Sequence, residues 1–379
     1  MKAVEKRFNF RIYPTKAQEK QIQHNFGCVR FVYNHFLNKR IQKHHAGEGI
    51  YGYNEASRDL TELKKQEEYL WLRQADAHSL QNALKNLNNA YSAFFRRTRV
   101  GGCAPGFPRF KTKKASSQSY KSQAQIGRRV IDVTDKAVLL PKLGWVKCRV
   151  SKRIEGRVIS ASVIQSASGR YFVSVCCTDV VPEPLPLTGA SVGLHFGIRL
   201  LAVTSDGEAI GNLRAFEKEK KKIVRLHRRL SRKPKDSMNR EKARAKLARA
   251  YERTANRRVD YIQKATTRIV RDYDVVCVRG EGVAEKMRDK RFALYLADAS
   301  WGMFCRLLKY KCAWYGKTFS EVPAGYPSAQ LCSTCGHKNT ALAKNHSRKW
   351  LCPKCGASHE RAKNAATNTL AEGIRRLVS

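Results

Sequence analysis

The sequence predicts a multidomain α+β protein: a β-barrel interrupted by a helical lobe, followed by an α/β domain that carries an inserted four-cysteine ribbon. Three observations predict it. From Arg128 to Thr178 apolar and polar residues alternate with the period of strands, as in Arg170-Tyr-Phe-Val-Ser-Val-Cys-Cys177. Between Ala56 and Arg97, Leu80, Leu84, Leu87, Tyr91 and Phe94 recur at helical spacing. Two Cys-x-x-Cys pairs, Cys332/Cys335 and Cys352/Cys355, sit close together near the C-terminus. The boundaries expected from these signals are 1–14 and 101–180 for the barrel, 15–100 for the helical lobe, 181–189 for a linker, 190–325 and 359–379 for the α/β domain and 326–358 for the ribbon.

Taken in order, the chain begins with a short strand near Phe8–Tyr13, and Thr15 is the N-cap of a helix that starts just after Pro14. Ile22 to Arg97 reads as a small helical lobe, whose apolar spacing also suits a plain bundle core. Gly101 to Gln118 is rich in Gly, Pro, Ser and Lys and reads as a loop. Val180-Val-Pro-Glu-Pro-Leu-Pro-Leu-Thr188 is the clearest linker, stiffened by its prolines. Ser191 to Gly207, with apolar runs around Gly197 and a closing Asp206-Gly207, reads as paired strands. Arg214 to Arg258 forms two helices broken near Pro234, and Asp274-Val-Val-Cys-Val-Arg279 is a β-branched run suited to a buried central strand.

Charge narrows the function. The 379 residues hold 74 Lys+Arg against 31 Asp+Glu, a formal charge of +43, which calls for a polyanionic partner. A membrane surface is the rival, but no stretch approaches the ~20 apolar residues of a spanning helix and the start lacks a signal-peptide core. A cytoplasmic, nucleoid-associated protein is expected. Forty-two per cent hydrophobic residues suffice for real cores. Arg214 to Arg258 alone carries nineteen Lys/Arg against five Asp/Glu. Its helices are either a solvated charged face or a track for a nucleic-acid backbone, on which Arg225, Arg228 and Arg229 form one cluster. Basic residues are interleaved with Tyr251 in this stretch and with Tyr261 and Tyr273 beyond it, at a spacing more typical of packing than of base stacking.

Two-plus-two thiolate spacing at Cys332, Cys335, Cys352 and Cys355 suits structural tetrahedral zinc and disfavours disulfides. Cys28, Cys148, Cys176, Cys177, Cys277, Cys305 and Cys312 mostly lie in apolar runs and read as small core residues, while Cys103, beside glycines, reads as exposed.

Several separated motifs together resemble the transposon-encoded TnpB proteins, RNA-guided nucleases ancestral to type V CRISPR effectors. They are Arg11-Ile-Tyr-Pro-Thr-Lys-Ala-Gln18, Gly27-Cys-Val-Arg-Phe-Val-Tyr-Asn34, Gly106-Phe-Pro-Arg-Phe-Lys111, Trp301-Gly-Met-Phe304, Tyr326-Pro-Ser-Ala-Gln-Leu-Cys-Ser-Thr-Cys-Gly336 and Asn364-Ala-Ala-Thr-Asn368. The resemblance implies a wedge-like barrel, a helical recognition lobe, an RNase H/RuvC-like domain opening with the Ser191–Gly207 hairpin, and an inserted zinc ribbon. It further implies a guide RNA and a double-stranded DNA target recognised beside a short duplex motif. Tyr53 and Gln81 match positions that contact this motif, and Tyr120, Ser122 and Gln123 match a third contacting segment; ordinary surface polar residues account for them nearly as well. Ala77 stands where a lysine reader occurs in a close family pattern.

The family's three metal-binding carboxylates fall at His195, Arg279 and Ala362, none of which is acidic. Two-metal phosphodiester cleavage needs hard anionic oxygens, whereas imidazole suits softer ions, a guanidinium repels a dication and alanine offers no donor. Glu281 would share the face of Arg279 only if the strand ran through Gly280, and Glu360 would lie about 200° around a helix from Ala362. The expectation is therefore a protein that is not an enzyme, needs no catalytic magnesium and resembles the nuclease-dead TnpB-like repressors, which block polymerase by occupying DNA. The alternatives are a weakened endonuclease with shifted carboxylates, or a zinc-ribbon DNA-binding protein with no guide.

Overall fold

The computed structural model describes residues 3–100, 106–113, 117–125, 127–280, 290–343 and 347–378. Cys103 and Glu281 lie outside them. The chain forms two compact units, one running to Val181 and the other from Pro182.

In the first unit β1 (Val4–Tyr13) turns Phe8, Phe10 and Ile12 inward by strict alternation. The long helix α1 (Lys16–His45) follows. Thr15 accepts a hydrogen bond from Gln18 N–H while the Gln18 side chain accepts from Thr15 N–H, a reciprocal cap that satisfies two donors left over at the helix start. The Gln18 amide also donates to the carbonyls of Leu143 and Trp145, which fixes the helix entry against the strands. Next come α2 (Tyr53–Leu63), a 3₁₀ segment (Glu67–Gln74) and α3 (Ala77–Val100). The strands β2 (Gln118–Gln123), β3 (Asp132–Val133), β4 (Ala137–Leu140), β5 (Gly144–Arg149), β6 (Arg157–Gln165) and β7 (Tyr171–Val180) join β1 in one antiparallel sheet of order β2-β6-β7-β1-β5-β4-β3. Edge strands β2 and β3 do not pair with each other among the described residues, so the sheet is an open ladder where a barrel is expected. Helices and sheet share one core: Ile22, Phe36, Leu60 and Leu84 pack in the same cluster as Phe8, Val163 and Val173. Helical lobe and sheet are thus halves of one hydrophobic body rather than separate cores.

In the second unit β8 (Ser191–Phe196), β9 (Leu200–Thr204) and β10 (Ala209–Gly211) form an antiparallel meander. Helices α4 (Ala215–Ser231) and α5 (Met238–Asp272) lead to β11 (Val275–Arg279), which lies parallel to β8 on one side and to β12 (Thr318–Val322) on the other, giving the order β10-β9-β8-β11-β12. β11 is buried on both faces, as its β-branched run predicts. Helices α6 (Lys290–Ala299) and α7 (Trp301–Trp314) precede β12, and α8 (Arg361–Val378) closes the described chain. α8 approaches the sheet so closely that a Cβ on Gly193 would collide with the Ala366 carbonyl and Leu370, and one on Gly373 with the Cys277 side chain. Glycine is needed at both points for want of space.

The three parallel strands β8, β11 and β12 start at one knot. The carboxylate of Asp274 accepts from Thr188 N–H and Gly189 N–H and pairs with the buried ammonium of Lys317, which also donates to the Pro186 carbonyl. The prolines of 182–186 are in consequence held down at their far end. The Lys317 ion pair and these two N–H groups lower the Asp274 carboxyl to about 2.

Candidate functional site

The ribbon is built from two copies of one local device. In the first knuckle Cys332 N–H donates to the His337 carbonyl and Gly336 N–H to the Cys332 carbonyl; in the second Cys352 N–H donates to Ala357 and Gly356 N–H to Cys352. Each loop needs a left-handed residue, supplied by Gly336 and Gly356. Strands β13 (Lys349–Leu351) and β14 (Ser358–Glu360) set the second knuckle in place. The ligand atoms of all four cysteines lie within 4.8 Å of one another, with sulfur pairs at 3.7 Å (Cys332 and Cys355) and 3.6 Å (Cys335 and Cys352). A tetrahedron with Zn–S bonds of about 2.3 Å requires sulfurs about 3.8 Å apart, so the donor set fits zinc in number, kind and spacing. Burial opposes ionisation of Cys332 and Cys352, but loop N–H groups and neighbouring side chains outweigh it and bring the thiols down to about 7 and about 6. Cys355, although favoured by the Ala357 N–H, is pushed up to about 12 by the other cysteines. A dication relieves that crowding of charge.

Two supporting features escape a reading of spacing alone. His359 on β14 places its Nε2 3.0 Å from the Cys332 sulfur and packs on Trp350, a partner that orients a ligand from behind. Asn364 and Asn368, one turn apart on α8, both donate to the Leu331 carbonyl; Asn364 also accepts from Ser333 N–H and Asn368 donates to Ser328. The Asn-Ala-Ala-Thr-Asn motif is thus a clamp whose asparagines grip the first knuckle while Ala366 lies on Gly193 of β8.

Beside this clamp opens a cavity of about 420 Å³, walled by His195 of β8, the Arg199 hairpin, and Glu360, Arg361 and Ala362 at the junction of β14 and α8. His195 and Ala362 therefore meet in one place. Arg279 does not line it; on adjacent β11, one residue past the Val278–Leu194 register pair, its guanidinium donates to the Tyr326 carbonyl at 3.2 Å, and burial lowers its pKa. Glu360 needs correcting. It ends a strand instead of standing on a helix, so the helical angle separating it from Ala362 does not apply, and its residue lines the same cavity. Among the described residues the cavity lining thus brings one carboxylate, Glu360, and one imidazole, His195, together with Arg199, Arg348 and Arg361.

In the first unit the Tyr53 hydroxyl donates to the Gln81 side-chain oxygen at 3.2 Å, Ser57 donates to the same atom, and the Lys85 ammonium lies 5.9 Å from the Tyr53 ring. The two sequence-selected residues are adjacent in space. Tyr120 and Ser122 are not available as nucleic-acid contacts: the alternation of β2 turns both inward, to 3% and 1% exposure, with the Tyr120 ring against Phe26. Gln123 is half-buried on the opposite face.

On the helical hairpin of α4 and α5, Ile223 and Leu247 pack between the helices while Arg225, Arg228 and Arg229 are exposed. The acids nearby are engaged elsewhere, Glu219 with Lys222 and Arg257, Glu241 with Arg244. Tyr251 meets His227, Tyr261 donates to the Gly211 carbonyl and Tyr273 to Asp206, so these rings serve the fold. Outside the ribbon, the six buried cysteines (Cys28, Cys148, Cys176, Cys177, Cys277 and Cys312) and half-buried Cys305 form no disulfide, and burial pushes Cys28 up to about 12 and Cys277 to about 11. No helix among the described residues is long and apolar enough to cross a membrane.

Comparison with known proteins adds three family matches: a Cas12f1-like TNB domain over residues 301–369, a probable transposase over 174–285 and a helix-turn-helix domain over 1–49, which here covers β1 and the unbroken α1. A protein of Streptomyces pristinaespiralis named "Putative RNA-guided DNA endonuclease" is 35% identical over 99% of this chain and 90% of its own length. InsQ of Escherichia coli (strain K12), named likewise, is 32% identical over 97% of this chain and 92% of its own. Among solved structures, a Cas12f1–sgRNA–target DNA complex is similar at TM-score 0.37 and 16% identity, covering 97% of this chain and 99% of that one. The relatives overturn the expectation drawn from the three replaced acids, that the chain is not an enzyme: near full-length similarity to proteins named endonucleases points to an enzyme family.

Proposed function

This chain belongs to the TnpB family of transposon-encoded RNA-guided nucleases, and from that membership we propose that it carries a guide RNA and binds double-stranded DNA that the guide matches. The observation that carries this reading is the identity of 35% and 32%, along almost the whole chain, with two proteins that bear the name of RNA-guided DNA endonucleases. Two features support it. The exposed Arg225, Arg228 and Arg229 offer phosphate contacts that no sequence alters, which suits a channel whose specificity comes from base pairing. Tyr53 and Gln81, joined by a hydrogen bond, form a compact polar pair able to read a base edge in the duplex beside the target. A guided complex seated on a promoter blocks polymerase, so occupancy by itself represses transcription. Four thiolates hold one structural zinc.

Guided strand cleavage in the cavity of His195 and Glu360 is the second reading, favoured by the relatives' names and by the position of Glu360. One experiment separates the two. The protein is expressed with its flanking genomic RNA, the co-purifying RNA is sequenced, and occupancy and cutting of matched and unmatched plasmids are measured in Mg²⁺ and in Mn²⁺. A discrete RNA and match-dependent occupancy are expected; absence of either overturns guided binding. Match-dependent cutting that Glu360→Gln abolishes without loss of occupancy establishes the second reading.

A further inference from the structure

Between Ala77 and Ile131 the chain carries eleven Lys or Arg and no Asp or Glu. In the middle of this acid-free stretch the structure places an uncovered aromatic group. Phe95, near the end of α3, is 50% exposed, and Phe107 and Phe110 of the Gly106–Lys111 segment are 46% and 51% exposed. The ring of Phe107 stands edge-on to Tyr91 and Phe94 at 5.5 Å and 5.4 Å between centroids, and Phe95 abuts both of those rings. Behind them the Arg40 guanidinium carbon lies 3.7 Å from the centre of the Tyr91 ring. Arg96, Arg97, Arg99 and Arg109, all exposed, flank the group.

The arrangement is rigid where it needs to be. Asn34 of α1 both donates to the Lys111 carbonyl (2.9 Å) and accepts from Lys111 N–H (2.8 Å), locking the segment as a neighbouring strand would. Pro108, buried, fixes the backbone between the two phenylalanines. Exposed phenylalanines so held lose little conformational freedom when a flat partner covers them.

We propose that Phe95 and Phe107, with Phe110 beside them and the flanking arginines, form a stacking platform for unpaired bases of the RNA that the protein carries. The partner's chemistry follows from the combination. Cations with no acid among them select a polyanion, and bare rings select flat π-faces, which a nucleic acid presents only where its bases are unpaired. Duplex would satisfy the arginines but leave the rings wet. The inference rests on the guided reading for the identity of the RNA, not for the existence of the platform.

The test uses the full chain and the variants Phe95→Leu, Phe107→Leu and the pair, which keep apolar bulk but remove the π-face. Binding of a 12-nucleotide oligoadenylate and of a 12-base-pair RNA duplex is measured by anisotropy at fixed salt, with thermal midpoint and sedimentation as controls. Each single variant is expected to weaken the single strand about tenfold, in line with base–aromatic stacking, while duplex affinity changes by less than about twofold. RNA substituted with 4-thiouridine should crosslink to this segment in the wild type. Unchanged single-strand affinity, equal losses on both probes, or conversion of an oligomer to monomers by the variants would each overturn the platform. If the wild type shows guided occupancy while the variants bind oligoadenylate normally, the platform fails and the guided reading stands. If the rings bind oligoadenylate but no discrete RNA co-purifies, the guided reading fails and the platform survives as a general single-strand site.

Discussion

At the scale of single residues the proposed roles divide into metal ligands, duplex readers and spacers. Replacing Cys352 by Ser removes one of four thiolates, and metal analysis should show zinc falling from about one ion per chain to near zero, with a lower melting temperature. Wild-type protein free of zinc would sink the assignment. Gln81→Ala deprives the Tyr53 hydroxyl of its acceptor. It should weaken binding to targets bearing the adjacent motif by about tenfold, within the roughly 1–3 kcal/mol of a good base contact, and barely alter binding to targets without it. Equal weakening on both would make Tyr53 and Gln81 structural. Gly193→Ala should cost about 1–3 kcal/mol in denaturant unfolding, because α8 must be pushed off β8 to admit one methyl group. The sequence exposes residue types better than their directions. Tyr120 and Ser122 stand in a polar-looking segment, and only the pairing of β2 with β6 shows that they face the core. For Glu360 the error is one of boundary, since the helix begins one residue after it and a strand ends on it.

Elements are more legible than the partnerships between them. The Thr15 cap, the break between α4 and α5, and the buried strand after Asp274 follow from local chemistry: a capping hydroxyl, a proline, a β-branched run. What local chemistry does not encode is long-range partnership, such as the grip of Asn364 and Asn368 on a knuckle more than thirty residues back. The Asp274 knot belongs to the same class, since its partners come from residues 186–189 and 317. Its carboxyl is lowered to about 2 in the folded protein from about 3.8, so its contribution is fully present above about pH 4 and drains away as pH falls towards 2. Asp274→Asn should lower the denaturation midpoint at neutral pH and flatten acid sensitivity in that window. An unchanged acid profile would show that the pair contributes nothing.

For the molecule as a whole, +43 charges make ionic strength a principal control of affinity. Neutralising Arg225, Arg228 and Arg229 together to Gln should flatten the plot of log K against log salt by about 0.9 for each duplex phosphate that the variant no longer neutralises, leaving the choice of target unaltered. A change of preferred target would mean that these arginines read bases. The packing of α8 on β8 also has a consequence in time. Gly193 leaves the ribosome 173 residues before Ala366, the residue that covers it. At ordinary synthesis rates that interval is roughly 10–30 s. During it the central strands of the second unit exist without their lid, and the cysteines of the first knuckle emerge before the asparagines that hold them. Nascent chains are therefore open to aggregation and thiol oxidation in that window, and a slower codon run across 193–366 would lengthen it.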